Sequence, residues 1–91
     1  MLEAEYTKQF KKDYKKCKKQ GLAIEEIFQV MGLLIDECEL PVKYKDHVLK
    51  GRYKGYGECH IRPNWLLIYS VDKNKNVIKF VRTGTHTELF D

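Results

Sequence analysis

The chain of 91 residues has few cysteines and lacks any long hydrophobic run. Its longest apolar stretches, residues 30–35 and 65–69, are far shorter than the roughly 20 residues that a membrane-spanning helix needs. The three cysteines, at positions 17, 38 and 59, show no C-x-x-C spacing, which argues against a secreted disulfide scaffold. No signal peptide is expected, because Glu3 and Glu5 precede any apolar stretch. We therefore expect a cytoplasmic protein that does not enter a membrane.

The composition indicates one globular domain spanning residues 1–91, with 43% hydrophobic and 33% charged residues. The net charge is +4 and is unevenly distributed, since seven lysines between Lys8 and Lys19 accompany one acid, Asp13. Such a dense row of lysines attracts polyanions such as RNA, although a solvated helix face explains the same run. The candidates for RNA contact are Lys11, Lys12, Lys15 and Lys16.

Hydrophobic periodicity predicts two helices followed by strands. Thr7 is a good N-cap for a first helix, which Gly21 ends. Pro41 stops a second helix, whose apolar stripe consists of Ile24, Ile27, Phe28, Met31, Leu34, Ile35 and Cys38. Strands are predicted at residues 2–6, 44–49, 57–62, 65–71 and 77–83. Short turns favour an antiparallel meander, and the two helices complete an α+β two-layer sandwich.

All three histidines, His47, His60 and His86, lie in the second half of the chain. Histidine can give or take a proton near neutral pH, because its unperturbed pKa is about 6.5. Strand alternation predicts a polar face that carries His60 together with Glu58 and Arg62. Arg82 is expected to join this face from the last strand, and His86 follows in a glycine-containing turn. This pattern favours acid–base chemistry on an anionic substrate.

Other chemistries fit the sequence less well. A metal site would recruit His47, Cys59, His60 and His86, but neighbouring strand residues point to opposite faces, so no metal is predicted. A cysteine nucleophile is disfavoured because the cysteines fall on apolar faces, and no G-x-x-x-x-G-K-[ST] phosphate loop is present. Trp65 and Phe90 can stack on RNA bases, and core packing explains each equally well.

Three motifs, K-D-H-x-L-x-G at residues 45–51, E-C-H-I-x-P-x-W-L-L-I-Y at 58–69 and R-T-G-T-H-x-E-L-F at 82–90, resemble the YafQ branch of the RelE superfamily of bacterial toxins. The resemblance covers essentially the whole chain. It implies a curved, mainly antiparallel sheet in the order β-α-α-β-β-β(-β), with both helices on one face. It also implies a ribosome-dependent endoribonuclease (an mRNA interferase) that needs no cofactor. The implied partners are ribosome, mRNA and a DinJ- or RelB-like antitoxin, with operator DNA contacted only through the antitoxin.

The resemblance also implies roles for individual residues. His47, His60, His86 and Arg82 stand at catalytic positions. The implied RNA contacts, besides the lysines named above, are Lys50, Arg52, Arg62, Trp65 and Phe90. In the implied reaction the RNA 2′-hydroxyl attacks its own 3′-phosphate, with His60 as base, His86 as acid, and His47 and Arg82 stabilising the phosphate.

Two positions depart from the family pattern. Asn64 replaces the acid that usually follows the proline, and Gly57 replaces the arginine before the E-C-H step. An amide does not accept a proton as a carboxylate does. Two alternatives therefore stay open: a catalytically weak or inactive member of the fold that binds RNA or antitoxin, and a protein-interaction domain unrelated to RNA.

Overall fold

The structure, a computed structural model, describes residues 1–49 and 55–90. Its elements are β1 (Glu3–Tyr6), α1 (Lys8–Lys19), α2 (Ile24–Ile35), a 3₁₀ helix (Val42–Tyr44), β2 (His47–Val48), β3 (Gly57–Arg62), β4 (Trp65–Asp72), β5 (Val77–Gly84) and α3 (His86–Phe90). The strands form one sheet in the order β1-β5-β4-β3-β2. β1 and β5 are parallel, and the other pairs are antiparallel. The predicted α+β class and mainly antiparallel sheet are confirmed.

α1 begins and ends where the sequence predicts. The Thr7 hydroxyl accepts a hydrogen bond from the Phe10 amide at 2.9 Å, which caps the helix N-terminus. At the other end Gly21 takes a left-handed conformation with φ of 78°, and the Leu22 amide donates back to the Cys17 carbonyl. This arrangement satisfies carbonyls that the last turn leaves without partners.

α2 ends earlier than predicted, at Ile35 instead of near Pro41. Glu37 takes the left-handed conformation that stops the helix, with φ of 58°, and the Cys38 amide closes the turn onto the Leu33 carbonyl. Cys38 is therefore exposed, and the prediction that it extends the apolar stripe is wrong. Phe28 is also outside the core, with 52% of its surface exposed.

The predicted strand at residues 44–49 is mostly wrong. Tyr44 belongs to the 3₁₀ helix and is buried, and Lys45 turns the chain with a left-handed φ of 48°. Only His47–Val48 pairs with the sheet. The short strand follows from this turn, because a left-handed residue cannot continue an extended ladder.

The main core lies between one face of the sheet and the helices α1 and α2. Its fully buried members include Ile27, Val30, Cys59, Leu67 and Phe80. A smaller cluster on the opposite face joins Leu89 of α3 to Leu66 and Ile68 of β4. α3 thus covers part of the second face, and the rest of that face remains open for the polar groups described below. Among the described residues, no helix is long and apolar enough to cross a membrane.

Candidate active site

The histidine cluster begins with strand pairing at the β2 edge of the sheet. In the antiparallel pair of β2 and β3, His47 lies opposite Glu58. Paired residues project to the same face, and alternation along β3 adds His60 to that face while Cys59 enters the core. The prediction that Glu58 and His60 share a polar face is confirmed, but the prediction that Arg62 joins them is wrong, because the register shifts between His60 and Arg62 and the Arg62 side chain bonds to Glu26 of α2.

Glu58 stands between the two histidines. The Nε2 atoms of His47 and His60 lie 3.2 and 3.4 Å from the same carboxylate oxygen, Oε1 of Glu58. The Glu58 side chain is only 6% exposed, whereas the rings of His47 and His60 are 48% and 24% exposed. The second oxygen, Oε2, is the one buried side-chain polar atom among the described residues without a hydrogen-bond partner. A buried, half-satisfied carboxylate is costly to the fold, which indicates a functional role.

The backbone fixes the orientation of His47. Its Nδ1 lies 2.7 Å from the Lys45 carbonyl oxygen, a position from which an Nδ1–H donates. Lys45 itself turns the chain with a left-handed φ of 48°, two residues before His47. The contact directs Nε2 toward Glu58, since a histidine held at one nitrogen presents the other.

A buried tyrosine supports the segment that carries His47. The Tyr69 hydroxyl donates a short hydrogen bond to Asp46, the residue before His47. Burial, and then the contact with Asp46, raises the pKa of Tyr69, so the hydroxyl keeps its proton at neutral pH. Tyr69 also packs across Gly57 of β3, its partner in the sheet. The ring thus connects β4 to both segments that present the cluster.

His86 reaches the same face from α3. The Thr85 hydroxyl accepts from the Glu88 amide, and the Glu88 carboxylate accepts from the Thr85 amide, which forms a capping box. The exposed His86 ring lies 4.8 Å from the Phe90 ring, measured between centroids. His60 pairs with Leu66, which pairs with Gly84 just before α3. His60 and Gly84, two residues before His86, therefore flank β4 about two strand spacings (roughly 10 Å) apart.

The Arg82 side chain of β5 contacts an acid of α1. A register shift between β4 and β5 interrupts the alternation there, and the guanidinium donates to both carboxylate oxygens of Asp13, at 2.8 and 3.1 Å. Asp13 is 7% exposed and also accepts from the Thr83 amide. Arg82 nevertheless pairs with Ile68, which pairs with Glu58, so the register shift leaves Arg82 on the face that carries Glu58 and His60, as predicted. Its guanidinium is held by the buried acid of α1.

The predicted RNA-binding lysines divide between two sides of α1. Lys12 and Lys16 line a cavity of about 280 Å³ with Arg82, and the Lys16 ammonium pairs with Glu88 of α3. Lys11 and Lys15 instead border an apolar groove of about 640 Å³ between α1 and α2, which contains the exposed Phe28. Helical spacing explains the division, because residues four apart share a face. Only Lys12 and Lys16 lie beside a residue from the histidine motifs.

A third cavity, of about 380 Å³, opens beside His60. Arg62 lines it and donates two hydrogen bonds to Glu26 of α2, at 2.6 and 2.7 Å. These contacts lower the pKa of Glu26 and raise that of Arg62. Lys43 and Lys45 border the same cavity, so this end of the cluster is basic. Both lysines lie outside the sequence-based predictions.

Comparison with known proteins identifies the family. The model of a bacterial toxin of type II toxin–antitoxin systems, YafQ, matches residues 2–91 of the chain. The chain belongs to the YafQ toxin family. It is 41% identical over 87 residues to the mRNA interferase toxin YafQ of Escherichia coli strain K12, covering 94% of this chain and 92% of that protein.

Solved structures of YafQ toxins share the whole fold. The E. coli DinJ–YafQ complex superposes with a TM-score of 0.91 at 39% identity, and the match covers 100% of each chain. A metal-bound toxin from Helicobacter pylori superposes with a TM-score of 0.93 at 44% identity, covering 99% of this chain and 100% of that one. The fold implied by the family resemblance is therefore confirmed.

The remaining predicted RNA contacts of this YafQ-family chain differ in their exposure. Trp65 is 2% exposed and donates through Nε1 to the Thr83 hydroxyl, so the prediction that it stacks on RNA is wrong for this conformation. Phe90 is half-buried beside His86 and stays a candidate for base contact. Asn64 is exposed in the turn between β3 and β4. Lys50 and Arg52 lie outside the described residues.

Sequence reasoning assigned no role to two buried acids, Glu58 and Asp13. Both lie in patterns that are typical of solvated surface. Glu58 lies on a polar strand face, and Asp13 lies in a lysine-rich helix. The signal for Glu58 was its placement two residues before His60 on one face. For Asp13 it was a single acid among seven lysines at a helix position in line with Phe10 and Cys17.

Proposed function

We propose that this YafQ-family toxin is an endoribonuclease that cleaves mRNA on the ribosome by metal-free acid–base catalysis. The observation that carries the proposal is the cluster of His47, Glu58 and His60 on the sheet face that His86 also reaches. Together these side chains supply a base, an acid and a cation, which cleavage by internal attack requires. The name mRNA interferase, which the E. coli relative carries, supports the same chemistry.

The reaction that fits these groups consumes no water. The ribose 2′-oxygen attacks the adjacent phosphorus, and the bond from phosphorus to the 5′-oxygen of the next nucleotide breaks. A base takes the 2′ proton, an acid protonates the departing 5′-oxygen, and cations stabilise the charge on the non-bridging oxygens. The products are a 2′,3′-cyclic phosphate and a free 5′-hydroxyl.

We assign His60 as the base and His86 as the acid. The attacking and leaving oxygens stand roughly in line through phosphorus, and His60 and the start of the segment that carries His86 lie on opposite sides of β4. Glu58 orients the base, because an Nε2–H of His60 aimed at the carboxylate leaves Nδ1 to accept the 2′ proton. This is the arrangement by which a buried carboxylate sets the tautomer of a catalytic histidine.

Cations around the cluster hold the RNA backbone. His47 lies next to the base and is half exposed, so its ring can meet the scissile phosphate. Arg82 shares its charge with Asp13, and Lys12 and Lys16 add positive charge at the same cavity. Lys43, Lys45 and Arg62 border the cavity beside His60, where a neighbouring phosphate fits. Phe90 supplies a ring for base stacking next to the acid.

The toxin is proposed to act in the cytoplasm and to be neutralised there by a DinJ- or RelB-like antitoxin. The E. coli relative with 39% identity has been solved in complex with DinJ, which supports a partner of that kind. Operator DNA is contacted only through the antitoxin in this proposal. The lysine-rich α1 provides the charge for docking on ribosomal RNA.

The test is cleavage of an mRNA that ribosomes are translating, with the ends of the products identified chemically. A 2′,3′-cyclic phosphate and a 5′-hydroxyl are expected, formed in the presence of a chelator and much more slowly on free RNA. His86→Ala should lower the rate by ~10²–10⁴-fold, and Lys73→Gln, in the exposed β4–β5 turn, should leave it unchanged. Ribosome binding without cleavage would replace this proposal with that of an RNA-binding, catalytically inactive member of the fold.

A further inference from the structure

Three cations from two parts of the chain meet in the cavity beside His60. The cavity has a volume of about 380 Å³, which falls in the usual range for small-ligand sites, roughly 300–1,000 Å³. Lys43 and Lys45 line it from the turn that leads to His47, and Arg62 lines it from the end of β3. His60 forms part of its wall, so the cavity is continuous with the position of the proposed base.

The guanidinium of Arg62 is occupied by a carboxylate in a geometry that suits a phosphate equally well. Nε and one terminal nitrogen of Arg62 donate to the two carboxylate oxygens of Glu26, at 2.6 and 2.7 Å. A guanidinium binds a phosphate through the same pair of parallel hydrogen bonds. Such a pair contributes little when it is solvated, and here the Arg62 and Glu26 side chains are 58% and 33% exposed. A phosphate that further cations support therefore displaces the carboxylate.

The two lysines provide that support. The hydrogen bonds from Arg62 are the main cause of the lowered pKa of Glu26, and the charge of Lys43 contributes as well. The Lys43 ammonium lies 5.0 Å from the centre of the buried Tyr44 ring, a cation–π contact that holds it at the cavity. Glu26 is the one acid among the described residues that line the cavity. Once Glu26 releases Arg62, the cavity presents a concentrated positive charge beside the base.

The direction of the RNA strand follows from the roles of the histidines, and this step rests on the proposed function. The 2′-hydroxyl belongs to the nucleotide on the 5′ side of the bond that breaks, and the leaving 5′-oxygen belongs to the nucleotide on the 3′ side. With His60 as the base, the 5′ nucleotide lies on the β3 side of β4, where the cavity opens. The 3′ nucleotide lies toward the segment that follows Gly84 and carries His86.

We propose that the cavity beside His60 binds the RNA phosphate immediately 5′ to the nucleotide whose 2′-hydroxyl attacks. Lys43, Lys45 and Arg62 hold this phosphate, and Glu26 leaves Arg62 when it binds. Contacts to phosphate set the register of a nucleic acid and carry no base information. The site therefore fixes which ribose faces His60, whatever the base on that ribose.

Binding is measured on the full-length protein with ribosomes that carry a short mRNA with 2′-O-methyl groups around the cleavage site, which cannot be cleaved. Changing Lys43 and Lys45 together to glutamine should weaken binding ~10-fold or more, as for the loss of a hydrogen bond to a charged group. Glu26→Gln should tighten binding about two- to fivefold, because it frees Arg62 from a weak ion pair. A gain of affinity cannot come from damage to the fold.

Matched controls remove the same charges elsewhere. Lys73 and Lys75 lie in the exposed β4–β5 turn, and Glu25 is the exposed neighbour of Glu26 in α2. Changing the two lysines to glutamine, or Glu25→Gln alone, should have clearly smaller effects than the matching changes at the cavity. Equal effects of the cavity variants and their controls would show that only net charge matters, which overturns the site.

The direction is tested with cleavable mRNAs in which a methylphosphonate neutralises one phosphate. Neutralising the phosphate 5′ to the attacking nucleotide should slow the wild type, and it should cause no further loss in the variant that lacks the charges of Lys43 and Lys45. Neutralising the first phosphate on the 3′ side of the scissile one should slow both proteins by the same factor. The reverse pattern, or losses that multiply at both positions, overturns the assignment.

The same experiments separate this inference from the proposed nuclease. A wild type that cleaves no mRNA, but whose binding responds to the cavity variants as expected, rejects the nuclease and the strand direction and leaves the phosphate site standing. A wild type that cleaves, with binding and rate unchanged in the cavity variants, rejects the phosphate site and leaves the nuclease standing.

Discussion

The ring of Tyr69 packs so closely on Gly57 that a Cβ atom at position 57 would lie 2.5 Å from Cζ of the tyrosine. Any side chain at this position must displace the ring, and with it the hydrogen bond from Tyr69 to Asp46. The glycine that departs from the family pattern is therefore required by the way this chain packs. An arginine there would add one cation, but it would remove the support that Tyr69 gives to the segment carrying His47.

The first prediction concerns this contact. Gly57→Ala should destabilise the protein by about 1–3 kcal/mol, the usual cost of overpacking a filled core, and lower the cleavage rate. Urea denaturation and the ribosome assay measure the two effects. Gly32→Ala is the control, because nothing lies within 4 Å of its added Cβ in α2 and stability should rise by up to about 1 kcal/mol. Unchanged stability in Gly57→Ala would show that Tyr69 moves aside freely.

The second prediction concerns the buried acid that holds Arg82. Asp13→Asn removes the charge opposite the guanidinium and should cost roughly 1–3 kcal/mol of folding stability, the penalty for a disrupted, largely buried hydrogen-bonded group. Cleavage should also fall, because Arg82 loses the contact that positions it. Glu39→Gln, an exposed acid before Pro41, should change stability by less than about 0.5 kcal/mol. A stable Asp13→Asn protein with full activity would contradict the positioning role.

How far the sequence predicts this structure depends on how local each signal is. Thr7 and Gly21 set the ends of α1 through neighbouring residues, and the pleat of β3 places Glu58 beside His60 within one strand, so both were predictable. The contact of Arg82 with Asp13 was not, since it depends on an acid 69 positions away. The role of Trp65 could not be predicted, because its aromatic ring is equally suited to stacking on RNA and to packing in the core.

The third prediction concerns pH. Pairing with Lys16, and then hydrogen bonds from Thr85, lowers the pKa of Glu88 below its ordinary 4.5, while the same pair raises the pKa of Lys16. A lowered carboxyl pKa contributes stability that is present above pH 4.5 and is lost as the pH falls through the folded-state value. Wild type should therefore exceed Glu88→Gln in stability at pH 7, and the difference should shrink below pH 4.5. A difference that stays constant across that range would exclude the ionised pair as its cause.

The fourth prediction separates the two sides of α1. Changing Lys12 and Lys16 to glutamine should lower cleavage and flatten the salt dependence of ribosome binding, because fewer counterions are released and the cavity of Arg82 loses charge. The matched pair, Lys11 and Lys15 to glutamine, borders the apolar groove and should affect cleavage less. Binding measured at several salt concentrations tests both. Equal effects of the two pairs would mean that only total charge matters, and no effect of either would leave α1 as a solvated helix face.

The fifth prediction concerns Asn64, which stands where the family usually has an acid. The residue is exposed in the turn that follows β3, the strand of His60. If a carboxylate at this position accepts or relays a proton, Asn64→Asp should raise the cleavage rate, and full general acid–base assistance is worth ~10²–10⁴-fold. A purely orienting role predicts almost no change, because asparagine makes similar hydrogen bonds. We expect the gain.

The measurement is the cleavage rate on ribosome-bound mRNA, and Asn64→Ala separates the two roles further. An orienting asparagine should lose activity on truncation to alanine, whereas a position that lacks its acid should tolerate alanine as well as asparagine. Asn74→Asp, in the exposed turn between β4 and β5, controls for the added negative charge. A rate that is unchanged or lower in Asn64→Asp, with the fold intact, would remove position 64 from the proton transfer and leave His60, oriented by Glu58, as the base.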